Sequence, residues 1–305
     1  MAVSNSPADQ TRIEGLVGHP GHKFDLLKER VQVQVIKSFA AIETDFLDLI
    51  WTLDFYRTSQ VVPRGMARPP KKGATSTPAS QLEGIYRGKG NYFSTVTALI
   101  LGNMTTSKLA SRSNVMGFSQ PHQIDIAWPD RDRKPLIDPL ICCEAKLTGA
   151  PAYGTTPARG AYADWSNRRK EMKFQATDLK LYRNAQNTQI DNWDVWRVSA
   201  PPSVYSLWAA RMRPDDQLKT MIEQARVLTE TYSDGVGIYA FEVNELGTGY
   251  VASTLPKNVS ARVTSLDNVL GKIAAQIRQI MRQNDDVVPP PVIAPAHAVS
   301  LGEDD

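Results

Sequence analysis

Apolar residues recur along this chain with two periods, and the change from one period to the other marks most of its elements. Across residues 23–60, Phe24, Leu27, Val31, Val35, Phe39, Ile42, Phe46, Leu49 and Leu53 follow three- and four-residue steps. That spacing predicts a helical stretch with one buried face, divisible into two helices. A further helix is predicted over 91–101, with Asn91 as N-cap and Phe93, Val96, Leu99 and Ile100 inward. The period then drops to two. A strand is expected over 114–118. From Gln123 the chain alternates, placing Ile124 and Ile126 on one face and Gln123, Asp125 and Ala127 on the other. Residues 140–147, Leu-Ile-Cys-Cys-Glu-Ala-Lys-Leu, read as a strand buried on both faces. A charged turn from Pro129 to Pro135 separates the two.

After residue 148 a Gly/Pro-rich loop runs to Gly160. A helix follows from Asp164 or Ser166 to Asn184, burying Met172, Ala176, Leu179 and Tyr182. Then come a strand over 204–210, a helix over 214–232, an antiparallel pair over 236–243 and 249–253, and an amphipathic helix over 266–282. Strands alternating with helices imply an α/β fold with a mixed central sheet flanked by helices. The expected organisation is a loosely ordered stretch at 1–22, a helical scaffold or dimerisation segment at 23–60, a basic loop at 61–90, a core at 91–284 and a disordered tail at 285–305.

Composition narrows this little. Of 305 residues, 42% are hydrophobic and 22% charged, as in ordinary globular proteins, and a net charge of +3 does not by itself argue for nucleic acid. With no long apolar window and no leader-like start, a cytoplasmic protein without a membrane segment is expected. Cys142 and Cys143 are adjacent in a strand, point to opposite faces, and so suit neither a disulfide nor a zinc site.

The informative residues are the charges in the apolar strand. Glu144 and Lys146 lie two apart, hence on one face, and Asp125 can lie beside them from the neighbouring strand. Buried charge is costly unless paired or bound to metal. Two carboxylates and an ammonium around one point make a site for a hard cation with a built-in cationic partner.

Asp125, followed nineteen residues later by Glu144-Ala-Lys146 on an apolar strand, resembles the D…(D/E)xK signature of the PD-(D/E)xK nuclease superfamily, which includes most type II restriction endonucleases. Chance matches to E-x-K number about half in a chain of this composition. A second one, Glu171-Met-Lys173, lies in a helical pattern without an apolar run before it and is set aside. The resemblance spans about residues 91–211. It implies a restriction-endonuclease-like αβββαβ core and a Mg²⁺-dependent hydrolase with one or two Mg²⁺ per site. Asp125, Glu144 and the Ala145 carbonyl are the implied metal ligands, and Lys146 positions water and phosphate. It also implies an acid near the preceding helix, for which Glu83 is the candidate, and a helical glutamine near the metal, for which Gln175 is the candidate. The substrate implied is double-stranded DNA, cut sequence-specifically by a homodimer to leave a 5′-phosphate and a 3′-hydroxyl.

Candidate DNA contacts are Arg68, Lys71 and Lys72 in the basic loop, Lys108 and Arg112 before the first strand, Arg159 in the Gly/Pro loop, and Arg168, Arg169 and Lys170 at the start of the following helix. Two alternatives stand beside this reading: a DNA-processing or defence nuclease without sequence specificity, activated by a partner or ligand, and a non-catalytic DNA-binding protein retaining the fold. The four histidines are too scattered for a ββα-metal site, and no Gly-x-Ser-x-Gly elbow or phosphate-binding loop is present.

Overall fold

In the computed structural model, the described residues are 15, 17–58, 88–130, 139–152, 157–186, 201–213, 218–254 and 263–285. The basic loop with Arg68, Lys71, Lys72 and Glu83, most of the N-terminal stretch and the tail from 286 onward lie outside them.

The 23–60 stretch is two helices, α1 (Pro20–Val33) and α2 (Glu43–Thr58), joined through a short 3-10 turn at Ala40–Ile42. α1 starts before residue 23 because Pro20 occupies its first turn and the His19 ring accepts from the backbone N–H of His22. Val35, grouped above with the buried face, is half exposed and sits in the link between the helices at φ 49°. α3 (Lys89–Thr105) follows, capped by Gly88 rather than by Asn91, which lies inside it. Then come strands β1 (Ala110–Met116), β2 (Pro121–Trp128) and β3 (Ile141–Thr148), helix α4 (Ala161–Gln186), strand β4 (Ser203–Arg211), helix α5 (Leu218–Thr231), strands β5 (Gly235–Val243), β6 (Tyr250–Ala252) and β7 (Val263–Ser265), and helix α6 (Leu266–Asp285).

These strands form one mixed sheet in the order β1-β2-β3-β4-β5-β6. β1, β2 and β3 are antiparallel neighbours, while β3, β4 and β5 run parallel. The parallel pairs need crossover connections, and α4 and α5 lie in those connections. β6 runs antiparallel to the last residues of β5, and β7 runs parallel to its first ones. β7 is only three residues long and carries no apolar run, so the sequence pattern does not reveal it.

Helices cover both faces. On one, α1, α2, α3 and α6 pack over Ile126, Cys143, Ala145, Leu207 and Phe241, with Phe39, Phe46 and Phe93 at the centre. On the other, α4 and α5 cover Cys142, Val204, Trp208 and Ile238, and Trp165 of α4 meets Trp208 edge to face at 4.4 Å. Losing such an aromatic costs about 3–5 kcal/mol. Cys142 and Cys143 therefore do point to opposite faces. The α1–α2 link is held by Asp267 at the head of α6, whose carboxylate accepts from the Ser38 hydroxyl and the backbone N–H groups of Phe39 and Ala40.

A buried polar group fixes the far end of β3. Lys89 donates to Asp54 at 3.3 Å and to the Gly149 carbonyl at 2.8 Å; the Tyr250 hydroxyl donates to Asp54 at 2.6 Å and accepts from Arg211 at 2.9 Å. Gly149 has φ 91°, and a Cβ there would come within 2.7 Å of Arg211. Only glycine fits. The chain thus leaves β3 at a fixed angle just past Lys146.

Candidate active site

The site sits where β2 leaves β3. Their described pairing comprises Trp128↔Ile141, Ala127↔Cys142 and Ile126↔Cys143, and ends there. The next residues, Asp125 and Glu144, face each other across the opening. The side-chain alternation of β2 also breaks at this point. Ile124 packs toward α4 with Ala127 and Cys142, whereas Ile126 packs on the opposite face with Cys143. The expectation that Ile124 and Ile126 share a face is therefore wrong, because the strand twists between them as it departs. Opposite Asp125 in the β1 register, between Ser111↔Ile126 and Ser113↔Ile124, Arg112 takes φ 49°, uncommon for a residue with a side chain.

Asp125 bridges the opening. Its Oδ2 accepts from the backbone N–H of Ala145 at 2.9 Å, replacing the ladder bond that β2 no longer supplies. A residue's N–H and C=O point to the same side of a strand, so the Ala145 carbonyl faces the same gap. Glu144 and Lys146 project from β3 toward α4, as their spacing requires. Glu144 is 6% exposed. Its Oε1 accepts from the Gln175 side-chain amide of α4 at 2.6 Å. Lys146 Nζ lies 2.8 Å from Glu144 Oε2 and 3.8 Å from Asp125 Oδ2. At 2.8 Å the ammonium pairs directly with the buried Oε2.

Charge in this corner is tightly coupled. Burial, reinforced by the neighbouring Asp125 carboxylate, pushes the Glu144 carboxyl up to about 7, against the downward pull of Lys146. For Lys146, burial acts to lower the pKa, but Glu144 and Asp125 outweigh it and hold the ammonium above the usual lysine range. Lys146 is therefore a fixed cation at neutral pH, a donor and not a base.

Among the described residues, no group of three or more His, Cys, Asp and Glu side chains is placed to hold a metal ion. The oxygen donors present are two carboxylates and the Ala145 carbonyl. They fit a hard divalent cation by their chemistry: these are hard oxygen donors, and burial together with the neighbouring Asp125 leaves the Glu144 carboxylate short of positive charge even beside Lys146. A cavity of about 270 Å³ opens beside them, lined by His122, Glu144, Lys146, Arg168, Phe174 and Gln175 among others.

Of the residues singled out from the sequence, Asp125, Glu144, Ala145, Lys146 and Gln175 come together, and Arg168 reaches the cavity while pairing with Glu171 at 2.6 Å. Arg159 pairs with Asp164, and its backbone bridges to Ala150, so it stands close to the exit of β3. Arg169 is half-buried, with Nε lacking a hydrogen-bond partner, and Lys170 is exposed. Lys108 is exposed and pairs with Asp130 at 3.0 Å; Arg112 is exposed on β1. Trp165, between Arg159 and Arg168 in sequence, is core, with its indole N–H donated to Gln224. Sequence reasoning missed His122 and Asp178, a buried pair at the cavity edge. His122 lies three residues before Asp125, but its partner is 56 residues away and no spacing rule connects them. No helix among the described residues is long and apolar enough to cross a membrane. Compared with protein-family models, with curated proteins and with solved structures, the chain matches none.

Proposed function

We propose that this chain is a metal-dependent nuclease that hydrolyses phosphodiester bonds of double-stranded DNA, leaving a 5′-phosphate and a 3′-hydroxyl. One observation carries the reading. The Lys146 ammonium lies within 4 Å of both the Asp125 and the Glu144 carboxylates, which come from two strands that part at this point, beside an open cavity. The element order α3-β1-β2-β3-α4-β4, with β3 and β4 parallel, supports a restriction-endonuclease-like core for the same reason.

Each residue has a part. Asp125 is pinned by the Ala145 N–H, and Glu144 by Gln175 and Lys146, so both carboxylates are aimed before substrate arrives. Mg²⁺, when held by Asp125, Glu144 and the Ala145 carbonyl, lowers the pKa of a bound water and offsets charge on the scissile phosphate. Lys146 donates to the attacking water and to a phosphate oxygen, fixing the line of attack. Arg168, at the cavity rim, contacts the phosphate backbone. A homodimer acting on both strands and a specific recognition sequence complete the proposal.

The test is incubation of the protein with phage DNA and Mg²⁺, followed by sequencing of fragment ends. Discrete ends sharing a motif support the sequence-specific form, and a smear supports an unspecific nuclease. No cleavage by the unaltered chain, or undiminished cleavage by both Asp125→Ala and Glu144→Ala, overturns the assignment.

A further inference from the structure

His122 and Asp178, 7% and 4% exposed, stand beside the Asp125–Glu144–Lys146 set without a part in the chemistry above. His122 Nε2 lies 2.7 Å from Asp178 Oδ2, and Asp178 Oδ1 accepts from the Ser119 N–H at 2.9 Å. The β1–β2 turn is shaped around this pair, because a Cβ on Gly117 would run into Asp178 Oδ2 and come within 2.8 Å of His122 Cδ2. A hydrogen on Nε2 serves the contact in the neutral and the charged imidazole alike. What the pair supports is an aromatic ring. Phe174 of α4 packs edge to face against the His122 imidazole, with ring centroids 5.6 Å apart. His122 comes from β2 and Asp178 from α4, one turn beyond Phe174, so the ring is held between two elements clamped to each other.

Phe174 is nevertheless 50% exposed, and it lines the cavity of about 270 Å³ together with Glu144, Lys146 and Arg168. A firmly backed ring left half open inside a charged cavity differs from an apolar residue scattered singly on a surface. Continued past Ile126↔Cys143, the antiparallel register carries Lys146 and His122 toward the same end from Glu144 and Asp125. Phe174, lying on His122, therefore stands at the Lys146 end of the site. Arg168 lines the cavity from six residues earlier on α4, and Lys170 and Lys173 are exposed between them. An aromatic face among cations is how proteins hold a strand's phosphates while stacking its bases. The cavity, near the lower limit of ligand pockets at ~300–1,000 Å³, suits one nucleotide and not a duplex.

We propose that Phe174 is a stacking platform for the nucleobase beside the scissile phosphate, so that the strand enters the cavity with this base out of the helical stack. The role rests on the phosphodiester hydrolysis proposed above. A phosphate held by Lys146 has its nucleotide on the same side of the site as the ring. A base inside a duplex has both faces covered by its neighbours, so stacking on Phe174 requires one base step to open, as apolar wedges do elsewhere. Every base has a π-face, and the ring therefore adds affinity without reading sequence.

Single strands of oligothymidylate and of abasic backbone of equal length carry the same phosphates and differ only in their bases. Their binding, followed by fluorescence anisotropy without divalent metal so that nothing is cut, tests the platform. The unaltered chain is expected to bind the thymidylate about 5- to 150-fold more tightly than the abasic strand. Phe174→Ala and Phe174→Leu should lose that preference while binding the abasic strand as before, and Phe174→Tyr, which keeps a ring, should retain it; thermal melts report whether each folds. Equal affinity of the unaltered chain for both strands, a preference that survives Phe174→Ala or Phe174→Leu, or one lost equally in Phe174→Tyr overturns the role while leaving the nuclease reading intact. A dimer lost in Phe174→Ala with the preference unchanged makes the ring a contact between copies of the chain instead. An unaltered chain that cuts no DNA with Mg²⁺ removes both readings.

Discussion

The side-chain amide of Gln175 donates to Glu144 Oε1 at 2.6 Å and so ties helix α4 to strand β3 at the centre of the site. This bond orients a carboxylate whose other oxygen faces the Lys146 ammonium at 2.8 Å. Partners of this kind are worth about 10- to 100-fold in metal affinity or activity when removed. Gln175→Ala is therefore expected to weaken Mg²⁺ binding and slow cleavage within that range, with little change in DNA affinity. Isothermal titration with Mg²⁺ or Mn²⁺, beside cleavage rates at saturating metal, measures both. A variant with unchanged metal affinity makes Gln175 a helix-surface residue that merely touches Glu144.

Lys146 is expected to be indispensable to rate and minor for metal. Lys146→Ala should lose several orders of magnitude in cleavage, since both the water and a phosphate oxygen lose their donor. Lys146→Arg should stay inactive, because a planar fork cannot sit where a compact ammonium lies 2.8 Å from Glu144. Single-turnover rates with preformed enzyme–DNA complexes settle it, and full activity of the arginine variant would reduce Lys146 to a generic positive charge.

Glu144 gives the metal-free protein an unusual pH response. Its carboxyl is raised from the ordinary 4.5 to about 7 in the folded chain, so between those values the folded state holds a proton that the unfolded state has lost. The sign follows: the stabilisation is complete below 4.5 and disappears as pH rises through about 7. A shift of this size corresponds to about 3 kcal/mol. Without divalent metal, melting temperature should fall between pH 5 and 8. With Mg²⁺ the fall should shrink, because the cation takes the proton's place. Glu144→Gln should flatten the profile, and a parent protein with a flat profile would mean that burial and the Asp125 carboxylate do not raise the Glu144 carboxyl.

The charged pair was readable for a simple reason: Glu144 and Lys146 interrupt an apolar strand, and a period of two puts them on one face whatever the fold. Asp125 was readable from the neighbouring strand. Gln175 came from the resemblance, together with its place near the inner edge of an amphipathic helix. What escaped detection depends on three-dimensional exceptions to period. The kink at Arg112 and the face change between Ile124 and Ile126 are set by β2 leaving β3, a tertiary event. The beginning of β1 is polar, Ala-Ser-Arg-Ser, and leaves no apolar alternation to read. Lys89 gives α3 a start that no capping rule marks, since its charge is satisfied by Asp54 and Gly149 from distant parts of the chain.

In the proposed nuclease, DNA contact would divide between two arginines that the fold places differently. Arg168 reaches the cavity beside Glu144 and Lys146 from α4, and its pairing with Glu171 is a partly exposed i,i+3 bridge. Such bridges contribute at most about 1 kcal/mol, so a phosphate can displace the glutamate at little cost. Arg159 is more than half exposed, paired with Asp164, and carried by a loop whose backbone is anchored to Ala150 beyond the end of β3. An anchored loop with an exchangeable arginine suits a base edge, where a bidentate contact to guanine discriminates by about 1–3 kcal/mol. Arg168→Ala should therefore weaken cognate and scrambled duplexes alike and reduce the slope of log affinity against log salt by about one contact. Arg159→Ala should weaken the cognate duplex by about 5- to 150-fold and the scrambled one far less. Binding curves for both variants at two salt concentrations separate the roles. Unchanged affinity in both would move the DNA-reading surface away from the β3–α4 connection.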